Sequence, residues 1–192
     1  MQSIYDLNMK MATDMLAEKG QKSYRAKQLF QWLYRKRVGS FQEMTDMPAS
    51  LLEDLAQEYS IEPVKEITRQ VARDGTTKSL FQLADGSSVE TVLMHFHFGE
   101  SLCVTSQLGC NMGCTFCASG LLKKQRDLTA GEIVGQVMFV QKELDKIGKR
   151  VDNVVIMGTG EPFDNYDNVM RFCEIINSDL GLAIGARHIT IS

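Results

Sequence analysis

The stretch Leu102-Cys-Val-Thr-Ser-Gln-Leu-Gly-Cys110-Asn-Met-Gly-Cys114-Thr-Phe-Cys117 joins an apolar-rich segment to three cysteines with C-x3-C-x2-C spacing. Three thiolates so close together can bind one face of a cubane iron-sulfur cluster, which has four irons. One iron then has no protein thiolate and is open to a small molecule. The alternative is a zinc site completed by Cys103, Cys173 or His188. Structural zinc more often uses two separated C-x2-C pairs, so the spacing favours the cluster.

The residues around the cysteines alternate between strand and helix patterns. Residues 102–108, 153–157 and 188–192 are predicted strands, and Thr129-Ala-Gly-Glu132 is a capping box that predicts the start of an intervening helix. Such alternation predicts a parallel sheet whose ligands gather at the carboxyl ends of the strands. The cysteine segment and the turn Gly158-Thr-Gly-Glu-Pro162 both follow a strand. We therefore expect them to face a common site.

The first 96 residues have a different pattern. Helical periodicity predicts three helices, over residues 4–20, 23–39 and 50–59, and Ser50-Leu-Leu-Glu53 is a capping box for the third. Residues 64–73, 77–83 and 88–96 are then predicted as a three-stranded meander. Asp74-Gly75 and Asp85-Gly86 are its hairpin turns.

Glu90 allows two interpretations in the third strand of this meander. Side chains alternate along a strand, so Glu90 shares a face with Val92 and Met94. If that face is buried, desolvation raises the pKa of the carboxyl group toward the range of a general base. If instead Val89 and Thr91 face the core, Glu90 is solvated, and this is the commoner arrangement because glutamate is rarely buried unpaired.

Composition limits the class of protein. The chain has 192 residues, of which 44% are hydrophobic, which is enough for one ordinary domain or two small ones. No apolar stretch approaches the ~20 residues that cross a bilayer, and the first residues lack the pattern of a secretory signal. Five cysteines, three of them clustered, indicate reduced thiols in a cytoplasmic protein more than a disulfide framework.

The formal net charge of -3 is unevenly distributed. Residues 21–42 contain six basic residues and no acidic one: Lys22, Arg25, Lys27, Arg35, Lys36 and Arg37. One interpretation is a surface that contacts a phosphate backbone. The other is that the last three cations are favoured by the dipole at a helix C-terminus. The sequence leaves both open.

The cysteine motif with Phe116, followed one strand later by Gly-Glu-Pro, resembles the radical S-adenosylmethionine (SAM) superfamily. The strings VETVLM, CVTSQLGCNMGCTFCASG, GEIVGQV, VVIMGTGEPFDN and RHITIS resemble its RlmN/Cfr family of RNA methyltransferases, and the likeness extends over essentially the whole chain. It implies an α/β fold with a small helical and β-meander N-terminal domain, followed by the first three strands of a partial (β/α)6 barrel. Residues 1–96 would be an accessory RNA-binding domain and residues 97–192 a truncated radical SAM domain.

The resemblance also implies cofactors. A 4Fe-4S cluster would be bound by Cys110, Cys114 and Cys117. SAM would bind the open iron and contact Gly160, Glu161 and Ser192. Reductive cleavage of SAM would generate a 5'-deoxyadenosyl radical, with an electron donor such as flavodoxin.

Two further residues receive catalytic roles from the resemblance. Glu90 falls on the family's proton acceptor and Cys103 on the thiol that helps to resolve a covalent enzyme-RNA adduct. Pro162 favours the branch that methylates C2 of adenosine in 23S rRNA and tRNA over the C8 branch. The methyl-carrying cysteine of the family would lie beyond Ser192, so we expect this chain alone to be inactive. A C8 methyltransferase of the Cfr type and a non-catalytic iron-sulfur or RNA-binding fragment are the alternatives.

Overall fold

The computed structural model describes all residues from Met1 to Ser192. Its helices are α1 (Met9–Glu18), α2 (Tyr24–Phe30), α3 (Ala49–Glu58), α4 (Ala130–Asp145) and α5 (Tyr166–Asn177). Its strands are β1 (Gln2–Ser3), β2 (Tyr59–Ser60), β3 (Val64–Val71), β4 (Thr77–Leu83), β5 (Ser88–Phe96), β6 (Gly99–Cys103), β7 (Gln107–Leu108), β8 (Arg126–Asp127), β9 (Val151–Ile156) and β10 (Ile189–Ile191). None of the helices is both long and apolar enough to traverse a bilayer.

The three N-terminal helices are present, with boundaries that differ from the sequence prediction. The first begins only at Met9, because the Asn8 side chain accepts a hydrogen bond from the Met11 N–H and caps the helix there. The second continues as a π-helix over Gln31–Lys36. The third begins at Ala49 after Pro48, so the capping box predicted at Ser50 is wrong: Ser50 lies inside the first turn.

The predicted meander is confirmed and extends into the parallel part of the sheet. Strands β3, β4 and β5 pair antiparallel, and Gly75 and Gly86 have φ of 88° and 86° in the two tight turns. A single six-stranded sheet has the order β10-β9-β6-β5-β4-β3. The β6-β9 and β9-β10 pairs are parallel. The sheet is therefore continuous across the predicted domain boundary between residues 96 and 97. The division into an accessory domain and a radical SAM domain at that point stays a prediction.

Helices α4 and α5 connect the parallel strands, and α4 packs on the sheet. On the face toward α4, Val89 and Thr91 are buried, and the Thr91 hydroxyl donates to the Gln136 side chain of that helix. The other face carries Glu90 and Cys103, and it is open. The single strand predicted over residues 102–108 is in fact divided into β6 (Gly99–Cys103) and β7 (Gln107–Leu108), because the chain leaves the sheet after Cys103 to follow the loop after β9.

One hydrophobic core joins the N-terminal helices to the rest of the chain. A single cluster of 43 buried residues extends from Ile4 and Tyr34 to Phe172 and Ile184. The Asp6 carboxylate accepts from the Gly131 N–H at 2.6 Å, at the N-terminus of α4, where a negative charge is favoured. Burial nevertheless raises the pKa of Asp6.

Candidate functional site

Two loops meet at the carboxyl edge of the parallel strands. We call residues 109–125, between β7 and β8, the cysteine loop, and residues 157–162, after β9, the GEP turn. Both leave the sheet at the same edge, as the sequence predicted. The Gly158 N–H donates to Val104, and the Ser106 and Gln107 N–H groups donate to Thr159, so the GEP turn lies directly against the segment that leads into the cysteine loop.

The cysteine loop is anchored at its ends and open between them. The Cys110 N–H donates to Leu122 at 2.8 Å, and the Gln125 N–H donates to Leu108 at 2.7 Å. Cys110 is buried, whereas Cys114 and Cys117 are exposed. Phe116 is 92% exposed, and Leu121 and Leu122 are 86% and 62% exposed, so the loop presents apolar side chains to solvent.

The three cysteines suit a cluster in their donor chemistry, but the side chains are not gathered as a metal site. The Ser119 hydroxyl and N–H lower the pKa of the Cys117 thiol, so the thiolate that binds iron is favoured there. No three or more His, Cys, Asp or Glu side chains stand close enough together to hold a metal ion. A cubane cluster spaces its thiolate ligands more widely than a single metal ion does, so Cys110, Cys114 and Cys117 remain the candidate cluster ligands.

The GEP turn is held closely against residues 104–107. The Glu161 N–H donates to the Gln107 side-chain oxygen at 2.8 Å, and the Thr159 N–H donates to the Thr105 hydroxyl at 3.3 Å. The Glu161 carboxylate accepts from the Phe163 N–H at 3.0 Å and caps the short helical turn that follows. Backbone groups of Gly160 and Glu161 are thereby fixed at the edge of the sheet.

Glu90 and Cys103 lie on the same open face of the sheet. Cys103 is the register partner of Val92, and Glu90 is two residues before Val92 on the same strand. The Glu90 carboxylate is 54% exposed and pairs with Lys78 at 3.0 Å. The interpretation with Val89 and Thr91 in the core is thus confirmed, and the buried alternative for Glu90 is wrong.

A cleft of about 470 Å³ brings Glu90 to the two loops. Its walls include Glu90, Thr105, Gln107, Gly109 and Thr159. Cys103 is half-buried beside this region, and burial raises the pKa of its thiol, so the group keeps its proton at neutral pH. Ser192 follows β10 and is exposed at the same edge.

Two matches to family models divide the chain. The model described as the ribosomal RNA large subunit methyltransferase N-terminal domain matches residues 2–61, and that of the radical SAM superfamily matches residues 104–192. Together they cover most of the chain. The chain is similar to the RlmN family of radical SAM proteins along nearly its whole length. Members of the radical SAM superfamily carry a 4Fe-4S cluster and use SAM, so both predicted cofactors are those of the family.

Individual relatives show the same similarity. The probable dual-specificity RNA methyltransferases RlmN of Streptococcus suis and Enterococcus faecalis are 57% and 56% identical to the chain, over 99% and 100% of it. The matched regions are 52% and 54% of those proteins, so the chain spans about half the length of the curated relatives it matches.

The fold also has a solved counterpart. The crystal structure of a radical SAM methyltransferase from Sphaerobacter thermophilus superimposes with a TM-score of 0.92 and 39% identity. The match covers all of this chain and 56% of that one. The fold predicted from the resemblance, with the first strands of a radical SAM barrel, is confirmed.

Sequence reasoning missed the polar residues between β6 and the cysteine loop. Thr105, Ser106 and Gln107 are all 1% exposed or less. Gln107 also donates to Asp127 at 2.7 Å. A run of polar residues directly after an apolar strand was the available signal, because polar side chains at such positions are buried only when they have partners.

Proposed function

We propose that the chain provides the accessory region and the first part of the barrel of a radical SAM enzyme that methylates C2 of adenosine in 23S rRNA and tRNA. The observation that carries the proposal is the meeting of the cysteine loop and the GEP turn beside Glu90 and Cys103. The printed names of the relatives describe dual-specificity RNA methyltransferases. Pro162 directly after Gly160-Glu161 supports the C2 branch over the C8 branch.

Each candidate side chain has a distinct part in this proposal. Cys110, Cys114 and Cys117 bind the cluster, and the backbone at Gly160, Glu161 and Ser192 contacts SAM. The bound cofactors supply the one-electron chemistry that a methyl group needs to reach an electrophilic carbon. The chain supplies ligands, position and proton transfer.

Proton transfer falls to Glu90. Its exposed carboxylate faces an open cleft that a nucleobase can enter, and Lys78 restrains its position at 3.0 Å. Cys103 supplies the thiol that helps to release the methylated base from the enzyme. Because burial raises the pKa of that thiol, it reacts only after a base has removed its proton.

RNA contact by the N-terminal region involves fewer cations than the sequence suggested. Arg35 donates to the Asp179 carbonyl and Arg37 pairs with Asp145 at 3.2 Å, so both dock the helices on the rest of the molecule. Lys22 and Lys27 are exposed and take part in no ion pair, whereas exposed Lys36 packs on the Trp32 ring. We assign the phosphate contacts to Lys22 and Lys27. The proposal places the enzyme in the cytoplasm, with an electron donor such as flavodoxin.

The test joins this chain to the remaining C-terminal part of the Streptococcus suis relative. With iron, sulfide, SAM and a reductant, the joined protein should form C2-methyladenosine in 23S rRNA, measured by mass spectrometry of nucleosides. Glu90→Gln should slow a late step, and Cys103→Ala should accumulate an RNA adduct. Glu66→Gln on β3 is the control and should retain activity.

Three outcomes would contradict the proposal. C8-methyladenosine as the product would indicate the Cfr type. Absence of any methylation by the joined protein with a full cluster would favour a non-catalytic fragment. Formation of C2-methyladenosine by the 192-residue chain alone would contradict the assignment of the methyl carrier to a region outside it.

A further inference from the structure

Gln107 is a buried side chain that joins the two loops of the site. Gln107 is 0% exposed, and both the oxygen and the nitrogen of its side-chain amide form hydrogen bonds. The oxygen accepts from the Glu161 N–H at 2.8 Å, and the nitrogen donates to the Asp127 carboxylate at 2.7 Å. Asp127 lies on β8, where the cysteine loop returns to β7. One side chain therefore contacts the GEP turn and the exit of the cysteine loop.

The close fit around Gln107 explains two glycines of the GEP turn. A Cβ at Gly160 would lie 2.7 Å from the Gln107 Cβ and 2.9 Å from its backbone nitrogen, and the φ of Gly160 is 118°. A Cβ at Gly158 would lie 2.7 Å from both the Thr105 hydroxyl and the Val104 carbonyl oxygen. The turn can approach residues 104–107 only because these positions lack side chains.

We propose that Gln107 is the positioning residue for SAM at the GEP turn, acting through the Glu161 N–H. This inference rests on the proposed function, because it takes SAM to be the ligand of the turn. The Gln107 amide fixes the peptide between Gly160 and Glu161, so the free polar groups of the turn face the cleft. The same amide ties that orientation to the strand pair that closes the cysteine loop.

Loss of the amide has a specific consequence. Gln107→Leu keeps a similar volume. The Asp127 carboxylate retains its ion pair with Lys124 at 2.8 Å, but the Glu161 N–H loses its acceptor, and an unpaired N–H away from water carries a free-energy cost. The turn escapes that cost by rotating its peptide toward water. Hydrogen bonds that orient metal ligands from behind typically change metal affinity by about 10- to 100-fold, and we take the same scale for the hydrogen bond behind the GEP turn. We expect SAM to bind at least about 10-fold more weakly in Gln107→Leu.

The matched control is another buried glutamine. Gln141 is 2% exposed, accepts from the Val151 N–H at 2.9 Å and donates to Asp145 at 2.8 Å, at the opposite end of β9. Gln141→Leu therefore removes the same kinds of hydrogen bond as Gln107→Leu, one accepted and one donated, without contacting the GEP turn. We expect its SAM affinity to stay within about twofold of the unmodified chain.

The experiment uses the 192-residue chain reconstituted with iron and sulfide without oxygen. SAM affinity is measured by equilibrium dialysis, and the EPR spectrum of the reduced cluster is recorded with and without SAM. The inference predicts a full cluster in both variants, with weak SAM binding and a reduced SAM-dependent spectral change only in Gln107→Leu. Equal SAM binding by Gln107→Leu and the unmodified chain would overturn it, as would equal weakening in Gln141→Leu.

If Gln107→Leu does not fold, a pair of charge-changing substitutions tests the hydrogen bonds of the Gln107 side chain instead. Gln107→Glu keeps an acceptor for the Glu161 N–H but places a carboxylate against Asp127, so SAM affinity should fall. Adding Asp127→Asn supplies a donor in place of the repulsion and should restore affinity. No restoration in the double variant would overturn the inference. The same variants are also measured in the joined protein: if the joined protein with a full cluster and an unmodified Gln107 binds no SAM, the proposed function itself is wrong, which distinguishes the two failures.

Discussion

The GEP turn and the cysteine loop lie at one edge of the sheet, yet the protein holds them very differently. Residues 158–161 are fixed by backbone and side-chain hydrogen bonds to residues 104–107. In the cysteine loop the N–H groups of Asn111 and residues 113–116 have no acceptor within the protein. The turn is thus held by contacts within the protein, whereas the centre of the loop is not.

The difference suits the chemistry proposed for each part. A turn that contacts a ligand through its backbone gains affinity from being fixed in advance, because no ordering entropy is lost on binding. Thiolates that surround a cluster have to close on it after it enters, and metal binding is then coupled to local folding. Exposed Cys114 and Cys117 are consistent with a loop of the second kind.

The largest expected effect is on cluster binding. Reconstituted without oxygen, the chain should hold about four irons and four sulfides, because three thiolates are the minimum set. Cys114→Ala should lose essentially all of them, together with the brown absorbance, and should retain its fold because Cys114 is exposed. Cys173→Ala, outside the loop, is the control and should keep the cluster. Tight stoichiometric zinc with no uptake of iron would show that the loop is a zinc site.

The next largest expected effect is a difference between the GEP turn and the cysteine loop in how much an added methyl group lowers the free energy of unfolding. Gly160→Ala introduces a Cβ 2.7 Å from Gln107 at a φ of 118°, so we expect a loss of about 2–4 kcal/mol in the free energy of unfolding. Gly113→Ala in the cysteine loop has no atom within 4 Å and should change it by less than about 0.5 kcal/mol. Urea denaturation of the cluster-free chain measures both. Similar losses at the two glycines would remove the distinction between a fixed turn and an open loop.

The sequence predicted those parts of the molecule that depend on neighbouring residues. The meander follows from two Asp-Gly turns, and Thr129 and Glu132 form the capping box that starts α4. The predicted capping box at Ser50 failed because Pro48 fixes an earlier start. All these features are set within about one helical turn, where spacing is informative.

The contacts that shape the site span larger separations along the chain. Gln107 bonds the N–H of Glu161, 54 residues away, and Gln136 bonds Thr91, 45 residues away. Spacing alone cannot identify such partners. The sequence did not decide which face of the sheet carries Glu90 for the same reason. Helix α4 covers Val89 and Thr91, and the strand pattern does not show which face a later helix covers.

Hydrogen exchange measures the same contrast segment by segment. In the cluster-free chain the N–H groups of Gln107 and Glu161 should exchange at least about 100-fold more slowly than those of Gly113 and Thr115. After the cluster is loaded, the loop amides should slow while those of the turn change little. Mass spectrometry of exchange at the peptide level detects both changes. Equal protection in the cluster-free chain would mean that the loop is ordered without its ligand.

The smallest expected effect concerns the exit of the cysteine loop, where Arg126 binds Asp85 of the meander at 2.7 Å and Glu132 at 2.8 Å. Hydrogen bonds from Ser87, and then Arg126, lower the pKa of Asp85 to about 2. Because the folded value is below the unfolded one, this carboxylate stabilises the fold above about pH 4. That contribution is lost as the pH falls toward 2.

We therefore expect Asp85→Asn to lower the free energy of unfolding by less than about 1 kcal/mol at pH 7, since the side chain is 47% exposed and solvent weakens the pair. The difference between variant and unmodified chain should shrink between pH 4 and about pH 2, as Asp85 becomes protonated. Asp74 occupies the other Asp-Gly turn and makes no ion pair, so Asp74→Asn should cost less and leave the cysteine loop unaffected. Urea denaturation at a series of pH values gives these differences. A loss that stays constant down to pH 2 would show that the Asp85 charge does not hold the end of the loop, and that the loop is as open at its exit as at its centre.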